Sequence, residues 1–500
     1  MTEIASPATD ATSGVLRSAL GWSFLNNMLG RLGSALVGIL LARILAPADY
    51  GVYAVCLVVL AALLSLNELG VSLAVVRWPG DVQRIAPTVM TLALTSSSVL
   101  YVVCFALAPT VADALHAPQA TNILRLLATA VLIDAVTAVP VGLMTRDFLQ
   151  RRRLVIDSVA LVTVSSVSIA LAVQGYGPWS LAWGNLMGNL VSAVLITAWA
   201  PLRIRPGFDR AVARDLLSFG LPLAGASVLA FAMLNIDYVV VGAVLGPVAL
   251  GFYLLAFNLS SWPVNLVSAP VRRVAVPAFA RLRDTGQESG LAFVRASVLL
   301  LAATIPAVLL LALLAHPLVQ LVYGGKWLPA ADVLPLLAAL ALARVLSELT
   351  YDFLVAHARS RSNLVVQAAW VSVLGPAIWV GAHLGGLRGV AVAHVSVALL
   401  VAVPTSVWAL RRAGVRLAPA LGPVGRLCLA TSAAALTVLL VTRELPGALP
   451  QLLVSGIAGS LVYAAVAFPV RRVLTDLRPA PDRFGTGAGP SAHVQTLLSP

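Results

Sequence analysis

The sequence is poor in charge, in lysine and in cysteine. Charged residues make up 11% of its 500 residues, and Lys326 is the only lysine. The three cysteines, Cys56, Cys104 and Cys428, have neither the spacing of a metal site nor that of a disulfide framework. The six histidines are also scattered along the chain. We therefore expect no bound metal and no cofactor.

Features of several enzyme classes are missing as well. The chain has no glycine-rich loop of the Walker type, so it has no ATP-hydrolysing motif of its own. No connection between apolar stretches is long enough for a soluble catalytic domain, and residues 43–49 contain Asp49 but no second acid. These absences indicate that the protein is not an enzyme. A transporter driven by an ion gradient, or by the gradient of its own substrate, is the class that remains.

Apolar residues are what the chain has in excess. They make up 60% of the residues, and the mean hydropathy is +0.95, which predicts an all-α membrane protein. Stretches near the ~20 residues that a bilayer requires predict about fourteen transmembrane helices. These predicted spans are 18–42, 50–75, 86–109, 120–143, 154–174, 178–200, 215–244, 248–270, 292–315, 332–356, 363–384, 388–410, 424–442 and 450–470.

Positive charge predicts the orientation of these spans. The chain has 33 basic and 20 acidic residues, but the basic ones lie in short groups between apolar stretches, which argues against nucleic acid. If the first connection faces outward, most of them fall on the inner side. The positive-inside rule then predicts a protein of the cytoplasmic membrane with both termini in the cytoplasm. The outer side holds only Arg43, Arg125, Lys326, Arg388 and Arg443.

One stretch of the chain occurs twice. LARILAPADYGVYAV at 41–55 returns as VGAVLGPVALGFYLL at 241–255, so that Pro47 and Gly51 correspond to Pro247 and Gly251. Proline cannot continue a helix and glycine turns freely, so each copy predicts a helical hairpin. A single copy is typical of any membrane hairpin. Two copies favour a duplicated chain, which is common among transporters.

Aromatic residues stand near the ends of several predicted spans, among them Tyr50, Trp262 and Trp327. Amphipathic rings prefer the membrane interface, so they are candidate interface anchors. Filling of gaps between helices is the other interpretation.

Ionisable residues inside the spans are few, and each must face a cavity or a partner because a charge in lipid is costly. Arg31 and Glu68 belong to the opening hairpin, where they either form a buried ion pair or provide a cationic site for an anionic head group. Asp237 either makes a polar contact with the opening hairpin or lines a cavity. The remaining members are Asp134, Arg344, Glu348 and Asp352.

Arg344, Glu348 and Asp352 are spaced four residues apart and therefore share one face of a helix. One interpretation is an internal ladder of salt bridges. The other is a charged stripe that lines a cavity, in which an acidic residue carries a proton.

Several segments resemble the polysaccharide-repeat flippases of the multidrug/oligosaccharidyl-lipid/polysaccharide exporter superfamily. The resemblance lies in GWSFLNNMLGRLGSALVGILLARILAPADYGVYAV, in NIDYVVVGAVLGPVALGFYLLAFNLSSWPVNLVSAPVRRVAVPAFARL, and in the later YGGKWLPAADVLPLLA and AHARSRSNLVVQAAWV. It implies two six-helix pseudo-symmetric bundles around a central cavity, followed by two additional helices. The corresponding parts are a tail at 1–17, bundles at 18–200 and 215–410, a linker at 201–214, the added helices at 411–470 and a disordered tail at 471–500.

The resemblance also implies a function and a site. A flippase of this family moves an undecaprenyl-pyrophosphate-linked oligosaccharide from the inner to the outer leaflet by alternating access. Its partners are the bilayer, the lipid-linked oligosaccharide and the polymerase and glycosyltransferases of the same pathway. By position, Arg31, Arg272 and Arg273 match the cationic residues of the family's cavity, and Arg77 is a further match. The alternatives are a cation-coupled multidrug exporter of the same superfamily and a lipid II flippase.

Overall fold

The computed structural model describes residues 7–67, 82–147, 149–200, 205–284 and 289–471. Within these ranges the chain is helical almost throughout and contains no β-strand. The prediction of an all-α fold is therefore confirmed. The predicted site residues Glu68 and Arg77, and residues 472–500 of the predicted tail, lie outside the described residues.

Fourteen helices of eight or more residues carry the fold, and we number them in chain order within the described part of the chain. They are α1 (Pro7–Ile44), α2 (Pro47–Asn67), α3 (Val82–Ala114), α4 (Ala120–Arg146), α5 (Gln150–Val173), α6 (Pro178–Ala198), α7 (Arg210–Asp284), α8 (Ser289–Leu313), α9 (Ala315–Val322), α10 (Leu328–Ala356), α11 (Ser360–Val397), α12 (Val403–Arg412), α13 (Leu421–Glu444) and α14 (Gly456–Ala467).

Two of these helices fold back on themselves at glycine. The backbone of α7 leaves the helical region at Gly246, where φ is 79°, and the rings of Tyr238 and Tyr253 then lie 5.8 Å apart across the reversal. The chain of α11 reverses in the same way at Gly385 and Gly386. In the described residues, twelve helical stretches are long and apolar enough to cross a membrane. The number of fourteen spans stays a prediction.

Helix α7 begins at Arg210, within the predicted linker 201–214. The side chain of Asp209 caps the helix by accepting the amide N–H groups of Ala211 and Val212 at 2.8 and 3.3 Å. The preceding chain lies against α3, where Thr91 Oγ1 donates to the carbonyl of Gly207 at 2.7 Å. The amide of Asp209 donates to Thr88 Oγ1 at 3.0 Å. Likewise, α1 begins at Pro7, inside the predicted tail, and proline is favoured at a first helical position.

The helices pack in three groups. Helices α1 to α6 contact one another through the pairs α1–α5, α3–α4 and α5–α6, and α10 packs against α7, α8 and α11. Helices α13 and α14 form a pair that lies on α8. The residue limits given above for the two bundles stay predictions.

The two copies of the repeated stretch meet face to face. A side chain at Gly51 would collide with the carbonyl of Pro247, and one at Gly251 would lie 2.7 Å from the carbonyl of Pro47. Each glycine thus contacts the proline of the other copy, as expected for two halves related by a two-fold axis. We call the end of the molecule with residues 44–47, 246 and 322–327 the hairpin end.

Trp327 is buried at this end rather than being an interface anchor. It is 0% exposed, and its ring lies edge-on to Tyr50 of α2 and Phe252 of α7, with centroids 5.3 and 5.9 Å away. For Trp327, the interpretation as a filler between helices is therefore the right one. It joins α2, α7 and α10 in the largest apolar core of the described residues.

The glycine contact yields a prediction about stability. Gly51→Ala and Gly251→Ala add a methyl group where a backbone carbonyl stands, and overpacking of this kind costs ~1–3 kcal/mol. We expect a lower thermal unfolding midpoint of the purified protein in detergent for each variant. Gly30→Ala is the matched control, because a Cβ there meets nothing within 4 Å. If all three variants unfold at the wild-type midpoint, the described contact is wrong.

Candidate functional site between the bundles

A cavity of about 480 Å³ lies between the two halves. This is the size range of small-molecule sites in proteins. One wall comes from α1 and the start of α2, and the other from the second arm of α7. Its lining residues are Arg31, Leu32, Ser34, Ala35, Gly38 and Tyr50 on the first side, Leu254, Leu255, Asn258, Ser261, Trp262 and Asn265 on the second, and Tyr323.

Arg31 supplies the positive charge of this cavity. It lies within an apolar helix, its side chain is exposed, and its Nε donates to Asn27 Oδ1 at 2.7 Å. The bond to Asn27 uses one of five guanidinium N–H groups, which leaves a planar fork for a second acceptor. The predicted partner Glu68 lies outside the described residues. Arg31 therefore lines the cavity between the halves, and its role as a cationic site stays a prediction.

The opposite wall offers neutral polar groups. Asn258, Ser261 and Asn265 follow one another at helical spacing, so they occupy one face of α7. Their amide and hydroxyl groups both donate and accept hydrogen bonds. Trp262 adds an indole ring, which is 40% exposed. An anion or a sugar that enters this cavity therefore meets a cation on one side and mixed polar groups on the other.

Arg344 connects this cavity with a second one inside the later bundle. Its Nη1 donates to Ser261 Oγ at 3.0 Å, and its Cζ lies 4.9 Å from the ring centre of Phe257. The second cavity has a volume of about 240 Å³, and Asp237 and His394 also line it. Ser261 thus faces the first cavity while it binds a cation that belongs to the second.

Asp237 is the acidic centre of the second cavity. It is 3% exposed and accepts hydrogen bonds from the hydroxyl of Tyr253 and the amide of Tyr238, each at 2.9 Å. The tyrosine oxygen in turn lies 3.4 Å from Nδ1 of His394. These partners belong to α7 and α11 rather than to the described part of the opening hairpin, and Asp237 lines a cavity, which is the other interpretation of this residue. Asp237 is part of a buried polar network of the second half.

The first bundle contains a polar cavity of its own, with a volume of about 280 Å³. Asp134 lines it and accepts a hydrogen bond from Asn67 at 3.1 Å. Asp157 lies on the same cavity, accepts from Asn26 of α1 at 2.6 Å and pairs with Arg153 at 3.8 Å. The described part of the chain holds no group of three or more His, Cys, Asp or Glu residues placed for a metal.

Two further groups of predicted site residues lie on α7 and α10. Arg272 and Arg273 lie in the helical backbone of α7, and their side chains are outside the described part. Glu348 and Asp352 lie on α10, where Asp352 is 4% exposed. Of the three residues of the predicted stripe, Arg344 lines the second cavity, and the stripe itself stays a prediction.

Sequence reasoning missed three kinds of residue. Asp157 lies inside the predicted span 154–174, so it could have been included among the ionisable residues of the spans. Asn258 and Asn265 lie in the predicted span 248–270, and their spacing with Ser261 marks a single polar face that the sequence could have revealed. Only the structure reveals that Ser261 binds Arg344, because the two residues come from distant parts of the chain.

Comparison with known proteins identifies the family. The family model described as "Polysaccharide biosynthesis protein" matches residues 40–332, more than half of the chain. The chain belongs to this family. The resemblance to the polysaccharide flippases is thereby confirmed.

Individual relatives and a solved structure agree with this assignment. The chain is 26% identical over 392 residues to the lipopolysaccharide biosynthesis protein WzxC of Escherichia coli K12, covering 77% of this chain and 78% of that protein. It is 27% identical over 330 residues to the succinoglycan biosynthesis transport protein ExoT of Rhizobium meliloti 1021, covering 64% and 65%. The lipid II flippase MurJ in an inward closed conformation superimposes with a TM-score of 0.77 at 13% identity, over 91% of this chain and 99% of that one. MurJ therefore shares the fold, and the chain is a multi-pass membrane protein.

The Asp237 network predicts an unequal response to the loss of two tyrosine hydroxyls. Tyr253→Phe leaves a buried carboxyl without its side-chain donor, so we expect the free energy of unfolding to fall by ~1–3 kcal/mol. Tyr463→Phe removes a hydroxyl that donates only to the neutral carbonyl of Ala302, so its loss is smaller. Unfolding in detergent measures both. Equal losses would contradict the proposed importance of the carboxyl, and Asp237→Asn with Tyr253→Phe completes a double-mutant cycle.

Proposed function

We propose that the protein is a flippase that moves an undecaprenyl-pyrophosphate-linked oligosaccharide from the inner to the outer leaflet for exopolysaccharide, capsule or O-antigen synthesis. The main support for this proposal is Arg31. It is an exposed arginine in an apolar helix, and it lines a cavity between the two halves. The names of WzxC, a lipopolysaccharide biosynthesis protein, and of ExoT, a succinoglycan biosynthesis transport protein, support the substrate class. The protein acts as a carrier and not as an enzyme.

The head group binds in the cavity between the halves. Arg31 donates a pair of hydrogen bonds to a phosphate, which the planar guanidinium fork suits better than an ammonium group does. Asn258, Ser261 and Asn265 face the same space and bind hydroxyl groups of the first sugars. Arg272 and Arg273, predicted from the sequence, bind the same head group as it enters.

The prenyl tail remains in the membrane along α1. Five leucines of this helix are exposed and lie on one face, because they are spaced three or four residues apart. One of them, Leu32, also lines the cavity next to Arg31. The apolar face therefore leads from the head-group position to the lipid. Its members are Leu25, Leu29, Leu32, Leu36 and Leu40.

The network of the second half couples transport to a proton. Arg344 binds Ser261 on the cavity side and shares the inner cavity with Asp237. When a head group recruits Ser261, Arg344 loses a partner and the electrostatic environment of Asp237 changes. Protonation of Asp237 then resets the carrier. Asp134, Glu348 and Asp352 are further candidate acids.

The hairpin end faces the outside of the cytoplasmic membrane, and both termini lie in the cytoplasm. Charge supports this orientation, since the predicted inner connections carry most of the basic residues. A polymerase and glycosyltransferases of the same pathway are the expected partners, because they make and consume the lipid-linked oligosaccharide.

Substitution of Arg31 tests the proposed head-group site. Arg31→Ala removes a charge-assisted contact worth ~1.5–3 kcal/mol, so we expect polymer export to fall by about tenfold or more. Arg31→Lys keeps the charge but not the planar fork, so we expect its polymer export to lie between that of the wild type and that of Arg31→Ala. Surface polymer is measured in a host that lacks its own flippase, with the amount of each variant in the membrane determined in parallel.

Arg443→Ala is the matched control, since Arg443 is exposed in the last turn of α13 and lines none of the three cavities. We expect it to export normally, and Arg272→Ala to behave like Arg31→Ala. Normal export by both Arg31→Ala and Arg272→Ala would reject the cationic site. Rescue of a cell that lacks its lipid II flippase, without rescue of polymer export, would assign the lipid II alternative instead.

A further inference from the structure

Two cations cross between the halves at the hairpin end. Arg43, in the last turn of α1, donates Nε to the carbonyl of Val322 at 2.8 Å and Nη2 to the carbonyl of Leu321. Lys326 donates its Nζ in the opposite direction, to the carbonyls of Arg43 at 2.9 Å and Leu45 at 2.6 Å. Each cation therefore binds the backbone of the other half.

The acceptor carbonyls lie at or next to the ends of helices. Leu321 and Val322 close α9, and Arg43 is one residue from the end of α1. The last carbonyls of a helix have no partner within it and form the negative end of its dipole, so they favour a cation. Trp327 adds a third bond of this kind, because its Nε1 donates to the carbonyl of Ala42 at 2.7 Å. Three side chains thus satisfy orphan carbonyls across the boundary between the halves.

The repeat indicates that this kind of contact does not require a cation at the end of the first arm of a hairpin. With the offset of 200 residues that relates the two copies, Arg43 corresponds to Ala243. The corresponding end of the second hairpin contacts the first half through apolar groups, and a Cβ at Gly242 would lie 3.6 Å from Leu115 Cδ2. One of two equivalent contacts has therefore become polar. Packing alone does not account for that difference.

We propose that Arg43, Lys326 and Trp327 form a clasp that holds the hairpin end closed and must open for release of the head group on that side. This rests on the alternating-access function proposed above. Arg43 and Lys326 are exposed at their surface position, so water can replace their hydrogen bonds when the halves part. A clasp of solvated charges keeps the end shut and still opens at a modest cost, which a buried ion pair does not allow.

A reporter cysteine measures the opening directly. Cys56, Cys104 and Cys428 are first replaced by serine or alanine, and Gly38→Cys is introduced. Gly38 lines the cavity, and a Cβ at this position meets nothing within 4 Å. A membrane-impermeant maleimide is then applied to right-side-out and to inverted membrane vesicles. We expect labelling from the hairpin side to be about threefold to tenfold faster in Arg43→Ala and in Lys326→Ala than in the parent, and fastest in the double variant.

The control is Arg388→Ala, which removes another cation of the hairpin end. Arg388 pairs with Asp332 at 3.5 Å within the second half and does not cross the boundary, so its loss leaves the labelling rate unchanged. Lys326→Arg keeps a cationic donor and labels at nearly the parental rate. Unchanged labelling of the double variant from either side overturns the clasp, and so does equal acceleration by Arg388→Ala. Labelling requires no substrate, so the clasp can hold even if Arg31→Ala exports normally and the proposed function fails.

Discussion

The distance between the two halves is set by backbone contact. At Gly51 and Gly251 the chain has no side chain, and the carbonyl of a proline from the other copy occupies the space that one would fill. No other residue permits so close an approach. Tyr50, Phe252 and Trp327 then pack around this contact, and the lining of the central cavity extends from Tyr50 and Tyr323 to Arg31 and Asn265.

The cost of polarity in lipid explains where the charged residues lie. A helix that faces acyl chains cannot hold a bare charge, so ionisable groups gather where protein surrounds them or where a cavity admits water. Asp134 and Asp157 line the cavity of the first bundle, Asp237 and Arg344 that of the second, and Arg31 the space between. Five charged residues of the predicted spans thus line the three cavities.

Local patterns predicted much of this architecture. The Pro47–Gly51 pair and its copy predicted two hairpins, because proline and glycine act on their own backbone. Arg31 was identified because a charge in an apolar helix is costly unless it has a partner or a cavity. Partners far apart in sequence could not be derived in the same way. Arg43 and Lys326 appeared only as two outer charges, since their acceptors are backbone carbonyls, which every residue has. Trp327 had the residue type and the position of an interface anchor, and its burial depends on how α2 and α7 pack.

The attachment of the linker restricts how the halves can move. Gly207 and Asp209 bind Thr91 and Thr88 of α3, and Asp209 also caps α7. The start of the second half is therefore anchored to the first half by hydrogen bonds. If one half rocks against the other, residues 207–209 therefore move with the first half, and the change in the backbone lies beyond Asp209.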